Sequence, residues 1–222
     1  MVACEESQRV CTAFRKRGHE AYSCDILEPS GGHPEWHILG DCLKILSGGV
    51  FVTMDGTEHS IEKWDLLIAH PPCTYLSNVS TRAFSLRCSP PDAVVGRWEE
   101  RAKAAIFFMR FALADIPKVC VENPVGFMNN NYRKPSQIID PYMFSSGKDD
   151  LENFVTKRTC LWLKGLNPLV PTYTGNKPDN RYLFGVYANG KAKCWEDTYT
   201  RKSGVRSKTF SGIAKAMAEQ WG

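Results

Sequence analysis

Residues 64–73 read Trp-Asp-Leu-Leu-Ile-Ala-His-Pro-Pro-Cys, an apolar run interrupted only by Asp65 that ends in a histidine, two prolines and a cysteine. An apolar run without polar alternation is what a strand buried on both faces of a parallel sheet requires. The two prolines stop the strand ladder and fix the backbone of the exit loop, so Cys73 is held outward from the sheet edge. Upstream, residues 2–4 read as a strand, Glu5-Glu6-Ser7 as a polar turn, and about 7–17 as a helix closed by Gly18. Residues 20–24 alternate and end at Asp25. Strand, helix and strand in that order imply a parallel pair joined by a right-handed crossover.

Downstream the pattern repeats with longer loops. A Gly/Pro/His-rich loop covers 29–37, and 50–54 with the Asp55-Gly56 turn forms a small hairpin ahead of the 64–69 strand. Residues 74–96 form a long polar loop holding Pro90-Pro91, a helix spans about 92–114, and 116–122 is a strand running into Glu122-Asn123-Pro124. Beyond 128 the pattern weakens: the Asn-rich stretch is turn-like, 142–150 is loop, 158–163 a strand, 164–203 lacks any long periodic element, and 211–220 is a helix. The expectation is one α/β domain over 1–222, built on a doubly wound, mostly parallel sheet.

Composition bounds the function. The chain has 222 residues, 43% hydrophobic and 23% charged, which is ordinary for a globular protein and argues against long disorder. No apolar run reaches the roughly 20 residues of a membrane span, and the acidic start is unlike a signal peptide, so a cytoplasmic protein is expected. The net charge of +4 is compatible with a phosphate-bearing partner. Nine cysteines, an odd number with no Cys-x-x-Cys pair, read as neither a disulfide framework nor a four-thiolate zinc site. His33 and His37 have a metal-like spacing, but Pro34 and the loop context oppose it, and no metal is expected.

Open parallel sheets bind ligands outside the carboxyl ends of their strands. The residues expected there are Glu5, Glu6, Asp25, Asp41, Cys73 and Glu122: acids and one cysteine. A thiolate pinned behind two prolines is a nucleophile, and a carboxyl on the neighbouring loop can hold a proton on a heterocycle while the thiolate attacks.

With those residues in view, the chain resembles the cytosine-5 DNA methyltransferases, in particular a compact branch encoded by phages and prophages. Pro71-Pro72-Cys73 with Leu76-Ser77 is similar to that family's nucleophile loop, and Glu122-Asn123 to its base-contacting dipeptide. The compact branch resembles this chain at ACEESQ, GHEAYSCDI, TKRTCLWL and GIAKAMAEQWG, so the likeness spans nearly all of it. The resemblance implies a Rossmann-like fold and S-adenosylmethionine, or a modified form of it, as group donor. It implies Cys73, Glu122 and Arg158 as catalytic residues. It implies Cys4, Glu5, Glu6, Ser7, Asp25, Ile26, Asp41, Cys42 and Pro71 around the cofactor. Ser77, Arg82, Asn123, Pro124 and Lys157 would meet substrate.

The chain departs from the family in three places. The Gly-rich first loop is replaced by Ala3-Cys4-Glu5-Glu6-Ser7-Gln8, which leaves the cofactor contact to Glu5 and Ser7 side chains. The family's Gln-x-Arg-x-Arg motif appears as Thr156-Lys157-Arg158-Thr159-Cys160, with one arginine. Residues 164–203 are a reduced, loop-rich substitute for a target-recognition region. The expected reaction is C5 methylation of cytosine in DNA. Alternatives are the same chemistry on a free pyrimidine nucleotide or a single strand, transfer of a modified group, and a non-catalytic nucleic-acid-binding module. A Cys-His hydrolase is disfavoured, since His70 is too close in sequence to serve Cys73 as a base. A basic cluster, Arg201, Lys202, Arg206 and Lys208, is a candidate backbone contact.

Overall fold

The computed structural model describes residues 1–179, 188, 190 and 208–222. Arg201, Lys202, Arg206 and most of the loop-rich region beyond 179 lie outside the described residues. The strands are Val2–Ala3 (β1), Ser23–Asp25 (β2), His37–Leu39 (β3), Gly49–Val52 (β4), Glu58–Ile61 (β5), Leu66–Ala69 (β6), Lys118–Pro124 (β7), Gln137–Ile139 (β8) and Thr159–Lys164 (β9). The α-helices are Arg9–Arg15 (α1), Pro91–Ala112 (α2), Phe127–Asn131 (α3) and Ser211–Trp221 (α4).

Seven strands form one mixed, mostly parallel sheet in the order β3-β2-β1-β6-β7-β9-β8, with β9 antiparallel to both neighbours. The apolar run beginning at Trp64 supplies the central strand. Its side chains alternate: Ile68 packs with α1 and α4 on one face, while Leu67 and Ala69 pack with α2 on the other. On the first face Val10, Cys11 and Phe14 of α1 meet Ile213, Met217 and Trp221 of α4. On the second, Phe108 of α2 lies edge-on to Trp162 of β9, with ring centroids 5.0 Å apart. Each such buried side chain contributes roughly 1.5–3 kcal/mol.

The α2 helix starts at a proline, where the missing N–H costs nothing, and carries Asp92 early and Arg110 late, in accord with its dipole. The β4–β5 hairpin forms as expected, turning at Gly56 with φ 89°. Three elements depart from the sequence reading. The Asn-rich stretch after 126 opens as α3, β8 is a three-residue strand, and the long polar loop contains a 3-10 helix, Asn78–Phe84. Among the described residues no helix is long and apolar enough to cross a membrane.

Candidate active site

The strand order reverses at β1, which lies between β2 and β6. Ligands of open α/β sheets bind at such a point, outside the carboxyl ends of the strands. Two groups of side chains stand there, one beyond β6 and β7 and one beyond β1, β2 and β3.

The β6–β7 register places Ala69 opposite Val121. Beyond that pair His70 and Pro71 leave the sheet while Glu122 and Asn123 continue beside them in β7, paired with β9, and the two segments are tied together twice. His70 Nδ1 lies 2.9 Å from Glu122 Oε2, and Asn123 Nδ2 donates to the Pro71 carbonyl at 2.8 Å. Asn123 is buried, so its amide is committed to holding the Pro71-Pro72-Cys73 loop. The Cys73 carbonyl accepts from the amides of Leu76 and Ser77, closing a tight turn, and Cys73 itself is exposed.

That turn rests on the segment after β7. Phe127 N–H donates to the Leu76 carbonyl, Asn78 N–H to the Val125 carbonyl, and Ser77 bridges Gly126. A Cβ at Gly126 would stand only 2.0 Å from the Leu76 oxygen, so glycine is what allows this approach. Farther along, Arg101 of α2 donates to the Tyr75 carbonyl at 2.8 Å and lies 3.4 Å from the centre of the Phe84 ring. The Cys73 loop is therefore seated on both β7 and α2. Arg82 and Pro72 are exposed on its outer side, whereas Pro71 is buried.

The electrostatics of the pair follow from its surroundings. Burial alone pushes Glu122 up, but the hydrogen bond and charge of His70, with Lys157 behind them, hold its carboxyl below the ordinary range. Burial likewise pushes His70 down, yet Glu122 and then Glu5 outweigh it and raise the imidazole. The two shifts agree on an imidazolium–carboxylate pair. His70 Nε2 is buried with no hydrogen-bond partner among the described residues. From the strand carrying the shortened arginine motif, the charge felt by Glu122 is that of Lys157; Arg158 is exposed and acts instead on Asp140 and Cys160.

The second group is built differently. Glu5 turns inward, and its carboxylate accepts from the amides of Val10 and Cys11 at 2.6 and 3.1 Å, capping α1. Burial outweighs those bonds and pushes Glu5 up to about 6. The loop that replaces the glycines has Cys4 and Gln8 at φ 58° and 56°, a left-handed conformation that costs non-glycine residues energy and that gathers at functional sites. Ser7 and Gln8 are buried, and Gly31 comes so close that a Cβ there would lie 2.6–2.8 Å from their atoms. Glu6 lies 4.0 Å from Lys208, the described member of the basic cluster.

At the exits of β2 and β3, Asp25 accepts from Leu27 N–H, and Asp41 caps a 3-10 helix, Cys42–Ile45, by accepting from Leu43 N–H. Ile26 is 77% exposed beside Asp25. Cys42 donates to the Cys24 carbonyl and accepts from Cys4 N–H, so three cysteines converge between β1, β2 and β3. Hydrogen bonding to Cys42, then burial, keeps Cys4 and Cys24 protonated. Cys88 is exposed like Cys73, Cys4 is half-buried, and Cys194 lies outside the described residues. His37 spends both ring nitrogens on Ser23 and the Leu27 carbonyl, and His33 stacks on Trp36.

Sequence reasoning missed His70 as the partner of Glu122, Gly126 as the seat of the Cys73 turn and Arg101 as its clamp. The signal for the first was the equal offset of His70 and Glu122 from the ends of their apolar runs. No protein-family model matches the chain, and no curated protein sequence matches it.

Proposed function

We propose that the protein is an S-adenosylmethionine-dependent C5-methyltransferase acting on cytosine in DNA. The observation that carries this reading is the double tie between the β6 exit and β7, which fastens the loop bearing an exposed cysteine to the strand bearing a half-buried, ion-paired glutamate. The strand order supports it at the level of fold, since β3-β2-β1-β6-β7 follows the doubly wound frame with its ligand crevice at the reversal point. Fold alone does not assign chemistry. The pairing of a nucleophile with an acid–base group supports a reaction class.

The residues beyond β1, β2 and β3 fit the proposed cofactor. Asp25 and Asp41 offer carboxylates to ribose hydroxyls and an exocyclic amine, and exposed Ile26 beside Asp25 gives an apolar face for a flat heterocycle. Gly31 and the left-handed Cys4 and Gln8 shape a close-fitting turn with Glu6 on its rim. When bound, the group supplies an electrophilic carbon on a sulfonium, to which C5 of the pyrimidine bonds.

The chain's own residues prepare C5. The Cys73 thiolate adds to C6, the C5–C6 π pair shifts to C4–C5, and the C4–N3 π pair settles on N3, where the Glu122 site holds a proton. The ring is then an enamine, nucleophilic at C5. After transfer, water takes the C5 proton, the C5–H pair forms the C5–C6 π bond as the thiolate leaves with the C6–S pair, and N3 returns its proton to Glu122. Covalent catalysis divides one hard step into easier ones, and positioned proton transfer adds about 10²–10⁴-fold. A base in duplex DNA must first leave the stack, at a cost of a few kcal/mol.

The test is nucleoside mass analysis of DNA from cells expressing the protein, with Cys73→Ser as control. Methylcytosine dependent on Cys73 is expected; a heavier adduct would identify a modified donor. Incubation with 5-fluorocytosine DNA should trap the protein covalently. No Cys73-dependent adduct on duplex, single strand or nucleotide would overturn the reading.

A further inference from the structure

We propose that His70 is the positioning residue of this centre: it fixes Glu122 from the exit of the neighbouring strand and stores the proton that the carboxyl presents to the substrate ring. The inference rests on the reading above, and it names a residue and a control that the nucleophile and acid alone do not supply.

The argument is geometric. His70 is the first residue beyond β6 and Glu122 stands one register step past the Ala69–Val121 pair, so the sheet itself brings them abreast. Their contact is 2.9 Å, with the His70 side chain 9% and the Glu122 side chain 21% exposed. Pro71 follows at once, its carbonyl held by Asn123, so the backbone that carries the imidazole and the Cys73 loop is pinned to β7. The same short segment thus carries the nucleophile and the partner of the acid.

The titratable and charged groups facing His70 are Glu122 from β7, Glu5 from the exit of β1 and Lys157 from the segment before β9. Two acids against one base favour the imidazolium. A lone ionised carboxylate has no proton to give to N3. With His70 beside it, the Nδ1 proton passes to the carboxylate while the N–H electron pair stays on the imidazole. The charged pair becomes a neutral imidazole and a carboxylic acid, with no change in total charge. The carboxyl then gives that proton to N3 as the S–C6 bond forms, and recovers it when the bond breaks.

Two readouts test this on the full chain. In ¹⁵N-histidine NMR, the His70 resonance, assigned by its loss in His70→Gln, should titrate above the ordinary histidine range in the wild type. In Glu122→Gln its proton affinity should fall by at least about tenfold. A wild-type midpoint below the ordinary range, or one unmoved by Glu122→Gln, overturns the proposal. In steady-state kinetics, His70→Gln keeps a hydrogen-bonding side chain but stores no proton. It should lose about 100-fold in kcat with KM within about threefold, and lose the alkaline limb of the pH profile. Wild-type kcat and an unchanged alkaline limb in that variant would also overturn it. If the wild type modifies no pyrimidine at all, the proposed function falls, while the NMR titration still decides whether His70 and Glu122 share the proton.

Discussion

Glu5 and Glu122 leave strands on either side of β6, both are largely buried, and their carboxyls are driven in opposite directions. For Glu5 burial wins over the His70 charge and the amides of Val10 and Cys11, pushing it up to about 6. Glu122 meets the same penalty but hydrogen-bonds the imidazole directly, and that pair is held ionised. The cysteines divide along the same line. Cys4, Cys24 and Cys42 converge as mutually hydrogen-bonded groups between β1, β2 and β3, while Cys73 stands exposed on the loop tied to β7. One side is built from side chains turned onto each other and onto backbone. The other presents an ion pair and an exposed thiol. For the two carboxyls burial alone does not decide the outcome; a direct hydrogen bond to the imidazole does.

The sharpest way to break the comparison is to remove one thiol from each side. Cys73→Ala should lower modification of DNA by at least about 10⁴-fold, roughly 5.5 kcal/mol of barrier, with melting unchanged because the side chain is exposed. Cys42→Ala should do the reverse, costing about 1–2 kcal/mol of stability through lost packing and hydrogen bonds while leaving 5-fluorocytosine trapping intact. Equal trapping by Cys73→Ala and wild type would erase the distinction between the two sides.

Next in size is the buried pair. Replacing one member, as in His70→Ala, strands the other charge and should cost about 3–5 kcal/mol near neutral pH, measured by denaturant unfolding. The sign with pH follows from both shifts. His70 is raised, so its contribution is complete below about 6.5 and is lost as pH rises through the raised value; Glu122 is lowered, so its contribution is complete above about 4.5 and is lost as pH falls through the lowered value. The coupling in a double-mutant cycle should therefore peak between those limits. A cycle flat across pH would show that the contact is not ionic.

Gly126→Ala probes how the reactive side is seated. Its Cβ would meet backbone, the Leu76 carbonyl, rather than a flexible side-chain tip. A loss of about 2–3 kcal/mol together with weaker trapping is expected. A stable variant that loses trapping would place the effect in the Cys73 turn alone.

Much of this contrast was readable in the chain, and the unreadable part has a common cause. The apolar run of β6, the prolines before Cys73 and the Glu122-Asn123-Pro124 exit are local signals, so the parallel core and the two main site residues emerged from pattern. The hairpin emerged because Asp55-Gly56 dictates its own turn. The partner of Glu122 did not, because His70 is 52 residues away in the chain and only the β6–β7 register makes them neighbours. The choice between Lys157 and Arg158 likewise depends on which face of β9 each precedes. Strand β8, three residues long, is too short to carry a period, and its place beside antiparallel β9 is a tertiary fact.

The smallest effect tests Glu5 directly. Between pH 4.5 and 6 the folded chain holds a proton on Glu5 that the unfolded chain releases, because the folded value of about 6 lies above the ordinary 4.5. Stability from this group is present below pH 4.5 and is lost as pH rises through 6, by up to about 2 kcal/mol. In the same interval His70 stays protonated and Glu122 ionised in the fold, so the pair adds little slope of its own. Glu5→Gln cannot titrate and has one carbonyl for two amides, Val10 and Cys11. It should be less stable than the wild type by about 1 kcal/mol at pH 4.5 and should overtake it as pH approaches neutrality. Chemical denaturation of both proteins across that interval reads the crossing. Parallel stability curves would mean that Glu5 is as firmly ionised as Glu122, and that the two sides of the crevice obey one rule.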